Sequence, residues 1–270
     1  MSLLRAHNLS LSVAEATTRH RVGNPGVSPG RLLCADVSVS FGAGENWIIL
    51  GANGSGKTTL LHALAGLRAP DRGKITLDGA DIRDTPPRRR ARRLGVLFQD
   101  FESAFPATVL ETVLTGRYPH LAHWRWESRE DYRLAEASLE AVGLAGFAHR
   151  SLATLSGGER RRVEIAALLA QNTPVCLLDE PNNHLDLRHQ VEILRLLAGR
   201  AHRPGHLNIF VLHDVNLASR FGTHGLLLFD DGECLHGPLP DVLQRPHLER
   251  LYHCRLREIL ADGIRWFLPD

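Results

Sequence analysis

Residues Gly51 to Thr59 read GANGSGKTT, placing one lysine and three hydroxyls among small, flexible residues. The spacing is that of a phosphate-binding loop, G-x-x-x-x-G-K-[ST]. Bare backbone N–H groups can approach an anion closely there, and the following helix start adds partial positive charge. On this reading Gly51, Asn53, Gly54, Ser55, Gly56, Lys57, Thr58 and Thr59 hold a nucleotide. Lys57 reaches the outer phosphates and the Thr58 hydroxyl faces Mg²⁺.

Three further stretches end in groups able to do chemistry. GVLF (95–98) stops at Gln99, VCLL (175–178) at Asp179 and Glu180, and IFVL (209–212) at His213. With WIIL (47–50) before the loop, these are four short apolar runs without alternation. Such runs predict strands buried on both faces of a parallel sheet. In open α/β sheets ligands bind beyond the carboxyl ends of the strands, so the four runs predict one shared site. There Asp179 suits Mg²⁺, and Glu180 suits a general base that polarises an attacking water. A second glycine-rich helix start, LSGGE (155–159), carries a capping box in Ser156 and Glu159. Gly157 and Gly158 are costly in a helix start unless something approaches the backbone closely, so the segment reads as a second anion site.

The elements that must position these residues follow from periodicity. TTLLHALAG after the loop, 129–143, 157–170 and 188–199 predict helices, and Asp78-Gly79 and Asp231-Gly232 predict hairpin turns. Segment 100–155 carries helical patterns and no strand. Residues 14–31, rich in Gly and Pro, read as a surface loop. The fold class is thus α/β: a three-layer core with a parallel sheet, an antiparallel β part and a helical insertion.

The 270 residues carry a net charge of +2, which gives no global argument for a nucleic-acid or membrane-surface binder. The four cysteines form no C-x-x-C pair, which excludes the common zinc and redox spacings and suits a reducing cytosol. No basic-then-apolar leader opens the chain, and no apolar run is long enough for a membrane helix.

The combination of GANGSGKT, Gln99, LSGGE, CLLDEP, NHLD and His213 resembles the ATP-binding cassette of ABC transporters, over about residues 32–250. The resemblance implies one nucleotide-binding domain of the P-loop NTPase type, with about 1–98 and 160–270 as core and about 100–158 as helical subdomain. It implies ATP and Mg²⁺ as ligands, with Thr58, Gln99 and Asp179 toward the metal and Glu180, His213 and Gln99 in catalysis. Two cassettes would face each other head to tail. Ser156, Gly157, Gly158 and Glu159 would act in trans on the partner's nucleotide, and Asp186 would line the seam.

TVLETVLTGRYPHLAHW, LDEPNNHLDLRHQVEIL and the stretch from Val211 to Leu243 resemble ATPase subunits of importers for iron–siderophore complexes, haem or cobalamin. That implies a peripheral subunit on the cytoplasmic face of the inner membrane, permease partners, an extracytoplasmic binding protein met indirectly, and no nucleic acid. The alternatives are an exporter subunit, or a soluble ABC-type ATPase acting on nucleic acid or ribosomes. Residues 100–125, with Phe101, Phe105 and Pro106, would form the surface that receives the permease.

Some residues depart from this pattern or distract from it. No aromatic stands near Val13 to stack on adenine, which leaves Arg19, His20 or Arg21 as planar cations for the base. The Arg-rich run 86–93 reads as a solvated helix face, and Arg160–Arg162 have the same two readings, solvated face or phosphate contact. His120 and His123 have metal-like spacing without a carboxylate or cysteine partner. Trp124 and Trp126 read as packing or interface residues.

Overall fold

All residues of Asn46–Gly51, Val175–Asp179 and Leu207–Val211 are buried, as apolar strands in the middle of a covered sheet must be. The computed structural model describes residues 2–13, 30–99, 106–122, 126–261 and 263–270. The readings placed on Arg19, His20, Arg21, Phe101, Phe105, His123 and Trp124 lie outside these residues, as does most of the 14–31 loop.

The strands are β1 Ser2–Val13, β2 Arg31–Gly42, β3 Asn46–Gly51, β4 Arg72–Leu77, β5 Ala80–Asp81, β6 Leu94–Leu97, β7 Val175–Asp179, β8 Leu207–Val211, β9 His224–Leu228, β10 Cys234–Pro238, β11 Leu256–Ala261 and β12 Ile264–Pro269. The helices are α1 Lys57–Leu64, α2 Pro87–Ala91, α3 Val109–Leu114, α4 Arg129–Ala141, α5 Gly157–Gln171, α6 Leu187–Gly199, α7 Val215–Phe221, α8 Leu239–Val242 and α9 Arg245–Tyr252.

Six strands form the main sheet in the order β10-β9-β3-β8-β7-β6. All neighbours pair in parallel except β10, which returns antiparallel beside β9. The carboxyl ends of β3, β8, β7 and β6 therefore reach the same edge. The pleat sends alternate side chains to two cores. Ile48, Leu178 and Phe210 face α3, α5 and α6, whereas Ile49, Leu177 and Val211 face α1 and a second sheet. That second sheet is antiparallel, in the order β2-β1-β4-β5. Helix α1 lies between the sheets, with Leu60, Leu61 and Leu64 buried, which fixes the direction of its N-terminus. The Asp78-Gly79 turn joins β4 to β5 with both residues at positive φ, as a two-residue hairpin needs. Asp231-Gly232 lies in the β9–β10 turn, closed by Phe229 and Glu233.

Helices α3 and α4 pack against α5. Each starts on a reciprocal cap, Thr108 with Glu111 and Ser128 with Asp131. Among the described residues no helix is long and apolar enough to cross a membrane.

A buried pair ties this helical part together. Arg117 Nε donates to Asp131 Oδ1 at 2.8 Å, and its Nη1 donates to the Ala170 carbonyl at 2.7 Å. Burial pushes the Asp131 carboxyl up, but the Ser128 hydroxyl and the Arg117 guanidinium outweigh it and hold the group at about 2. The folded pKa is depressed, so the pair's stabilisation is present above the ordinary value of 3.8 and is lost as pH falls toward 2. Asp131→Asn is expected to cost about 3 kcal/mol at neutral pH, because it leaves the guanidinium unpaired. Denaturant unfolding at pH 7 and pH 3 checks this: the gap between wild type and variant narrows at pH 3.

Candidate functional site

The loop after β3 turns back to start α1, and Gly56, at positive φ, takes the N-cap position. Lys57 is buried, and its Nζ reaches back over the loop to the carbonyls of Gly51 and Ala52, at 2.9 and 3.0 Å. Burial pulls the Lys57 pKa down, and the Glu180 and Asp179 carboxylates oppose that. Together the loop and the strand ends form a cleft of about 680 Å³. Asn53, Gly54, Gly56, Lys57, Thr58, Thr59, Gln99, Glu180 and His213 all line it, so the predicted residues from four strands do converge. Gly51, Ser55 and Asp179 are buried beneath it.

Asp179 closes β7 with its side chain 0% exposed. Neither carboxylate oxygen has a hydrogen-bond partner among the described residues. Burial pushes its pKa up, and the neighbouring Thr58 hydroxyl pulls the other way without meeting hydrogen-bond geometry. Unpaired oxygens of this kind beside a threonine hydroxyl are hard donors suited to Mg²⁺, which takes few protein ligands besides phosphate and water.

Glu180 follows in the left-handed region, at φ 47°, which costs a residue with a Cβ about 1–2 kcal/mol. Its backbone N–H donates to the Val211 carbonyl at 3.1 Å, tying it to β8. The conformation aims its carboxylate into the cleft. Oε1 meets His213 Nε2, and Oε2 accepts from Asn183 Nδ2 and, at 3.4 Å, from Gln99 Nε2.

The glycine-rich start of α5 does not line this cleft. Ser156 caps the helix, with the predicted box to Glu159 closed in both directions. Gly158 has an internal reason to lack a side chain, since a Cβ there would lie 2.9 Å from the His184 carbonyl oxygen. A Cβ on Gly157 would make only an ordinary contact, 3.8 Å from the His184 Cβ. Asp186 caps α6 through the His189 N–H at 2.9 Å and is exposed. These residues lie on the surface, apart from the loop that precedes α1.

Several residues at the site escaped the reading of the sequence. Asn183 touches Glu180, and Arg31 and Leu33 from β2 line the cleft beside Val13. Arg161 is the largest departure. Its place in an Arg-Arg-Arg run suggested solvent or phosphate, yet it is 2% exposed and bonds to backbone behind the site. Its position was legible in principle, because Arg161, Ile165 and Leu168 share one buried helix face at i, i+4 and i+7. The run 86–93 is solvated as expected, with no buried residue in α2. His120 spends Nε2 on the Gln171 carbonyl, 2.8 Å away. Trp126 is 90% exposed among the described residues.

A phosphate loop between a buried parallel strand and a helix, facing two carboxylates at the end of another strand of the same sheet, defines the P-loop NTPase fold. Residues 34–183 match the ABC transporter family, and the chain belongs to that family. It is 37% identical over 223 residues to the ferric enterobactin transport ATP-binding protein FepC of Escherichia coli K12, covering 82% of this chain and 81% of FepC. It is 40% identical over 227 residues to the hemin import ATP-binding protein HmuV of Nocardia farcinica, covering 84% and 78%. Among solved structures, an inward-facing ABC transporter described as of metal-chelate type superposes with a TM-score of 0.82 at 27% identity, covering 100% of this chain and 98% of that one. A dimeric ATP-binding cassette in a post-hydrolysis state with ADP and phosphate gives 0.73 at 28% identity, covering 87% and 98%.

The loop has no room for a side chain at its first position. A Cβ on Gly51 would collide with the Ser55 hydroxyl and stand 3.0 Å from the Leu228 carbonyl oxygen. Gly51→Ala is expected to destabilise the fold by about 1–3 kcal/mol and to speed amide exchange at the start of α1. Unchanged thermal unfolding and exchange would show that the loop is looser than described.

Proposed function

We propose that this chain is the ATP-hydrolysing subunit of an ABC importer, powering uptake of a metal-chelate cargo (iron–siderophore, haem or cobalamin) through a partner permease. The observation that carries the reading is Glu180: a buried carboxylate aimed into a phosphate-loop cleft and held among Gln99, Asn183 and His213.

In this reading Lys57 leaves the Gly51 and Ala52 carbonyls for the outer phosphates, and the loop N–H groups from Asn53 to Thr59 take the remaining oxygens. Asp179, Thr58 and Gln99 would hold Mg²⁺, which neutralises charge on the phosphate oxygens when bound. Glu180 orients a water in line with the terminal phosphate and draws on its proton, while His213 turns from Glu180 toward that phosphate. The fixed, desolvated donors supply stabilisation without reorganising as charge develops.

The exposed start of α5 fits a role in trans. Ser156, Gly157, Gly158 and Glu159 would complete the site of a second copy, with Asp186 at the seam. The dimeric cassettes among the similar structures support a homodimer. A mostly apolar groove of about 240 Å³ between β6, α3 and α5, lined by Phe98, Thr112, Pro119 and Leu168 among others, would receive the permease, with 100–158 as the helical subdomain around it. The names of the relatives support import over export. The cytoplasmic face of the membrane is then the site of action, with an extracytoplasmic binding protein met only through the permease and no nucleic acid involved.

Glu180→Gln is expected to bind Mg-ATP with near-native affinity while hydrolysis falls by about 10²–10⁴. With ATP it should elute as a dimer, and tagged protein added to solubilised native membranes should capture a multi-spanning permease. Hydrolysis at the wild-type rate would refute the role of Glu180. Capture of ribosomal or DNA-bound partners alone would refute the importer.

A further inference from the structure

The β6–β7 ladder stops at Leu97 and Leu178. Beyond it the carbonyls of Phe98, Asp179 and Glu180 need donors that strand pairing no longer supplies. One side chain reaches all three, sharing the Glu180 carbonyl with the Asn183 N–H at 3.1 Å. Arg161 Nη1 donates to the Phe98 carbonyl at 2.6 Å, and Nη2 donates to the Asp179 and Glu180 carbonyls at 2.6 and 2.9 Å. The Asp179 and Glu180 carbonyls belong to the peptide planes on either side of the Glu180 Cα. A single planar nitrogen therefore fixes both planes around a residue held at φ 47°. The Phe98 carbonyl precedes Gln99, so the same guanidinium also anchors the backbone that presents the amide. Its charge is balanced by Glu164, whose Oε2 lies 2.7 Å from Nη1 and whose side chain lines the apolar groove. Burial pushes the Glu164 carboxyl up and Arg161 pulls it back, as in a shared ion pair.

We infer that Arg161 is a positioning residue for hydrolysis: it holds the backbone of Glu180 in the strained conformation that aims the carboxylate, and holds Gln99 in register with it. The inference rests on the reading of Glu180 as the group that activates water. Left-handed strain persists only where the surroundings over-determine it; here the Val211 carbonyl and the Asn183 N–H, each 3.1 Å from Glu180 backbone, act with Arg161, the one side chain that joins both peptide planes. A lysine cannot replace it fully, because an ammonium offers no planar fork to span carbonyls on two strands.

The test compares full-length wild type with Arg161→Gln, Arg161→Lys, Glu180→Gln and Arg200→Gln for ATP affinity, steady-state hydrolysis and thermal unfolding. Arg200 is the matched control: it is also buried and donates to a carbonyl, that of Thr173 at 2.8 Å, but at the opposite end of β7. Arg161→Gln is expected to lower kcat about 10- to 100-fold, the cost of a small misplacement of a reacting group. KM for ATP should stay within about threefold, since ground-state binding is untouched. Arg161→Lys should recover part of kcat, and Arg200→Gln should lose stability while kcat per folded molecule holds. If Arg161→Gln does not fold, Arg161→Lys decides: reduced kcat at unchanged KM supports the inference, and native kcat overturns it. A loss of kcat no greater than in Arg200→Gln, or a KM that rises in step, also overturns it. Glu180→Gln hydrolysing at the wild-type rate would overturn the reading of Glu180 and this inference with it. An inert Glu180→Gln beside a fully active Arg161→Gln would overturn the inference alone.

Discussion

Burying a carboxylate without a hydrogen-bond partner is among the most expensive things a fold can do, and Asp179 is buried with none among the described residues. The cost is bearable because of what surrounds the group. Thr58 and the buried Lys57 stand at the start of α1, whose N-terminus carries partial positive charge, and Arg161 lies behind the strand end. Without the cations, burial alone would push the carboxyl further toward its protonated form. Remove the carboxylates and the Lys57 ammonium would have little reason to remain charged out of water. The loop and the end of β7 are thus electrostatically interdependent, although more than a hundred residues separate them in the chain.

The architecture is what allows this. Parallel pairing brings β3, β8, β7 and β6 to one edge, and the pleat divides their side chains between two cores. Both faces of the sheet are therefore covered, and the polar groups can only emerge at its end. Helix α1, clamped between the two sheets, cannot swing its N-terminus away from Asp179. Helix α5 acts from the other side. Its first turn presents the capped glycine segment at the surface, and its fifth residue, Arg161, reaches under the strand ends.

Much of this was legible in the residues. Four apolar runs ending in Gly51, Gln99, Asp179 and His213 predicted four buried strands and a shared cleft, because local burial on both faces leaves that mark in sequence. The Ser156–Glu159 box and the two Asp-Gly turns were equally local. What escaped was set by distance or by context. Arg161 sat in a run of like charges that masked its place on the buried face of α5 with Ile165 and Leu168, and the carbonyls it meets lie on distant strand ends. Asn183 touches Glu180 because Glu180 adopts positive φ, which its residue type does not predict. Arg31 and Leu33 reach the cleft from β2, in a different sheet. Gly158 looked reserved for an outside partner, whereas the His184 carbonyl already fills the space a side chain would take.

We propose that Asp179 is kept buried, with no partner among the described residues, so that it can meet a cation carried in with ATP. The most direct test is the affinity for ATP with Mg²⁺ and with a chelator, in wild type and in Asp179→Asn, followed by calorimetry. Mg²⁺ is expected to tighten ATP binding at least about tenfold in the wild type, and the variant to bind ATP equally well with and without it. A variant that keeps the full Mg²⁺ dependence would leave Asp179 with no part in holding the cation, and the buried carboxylate would then need another explanation.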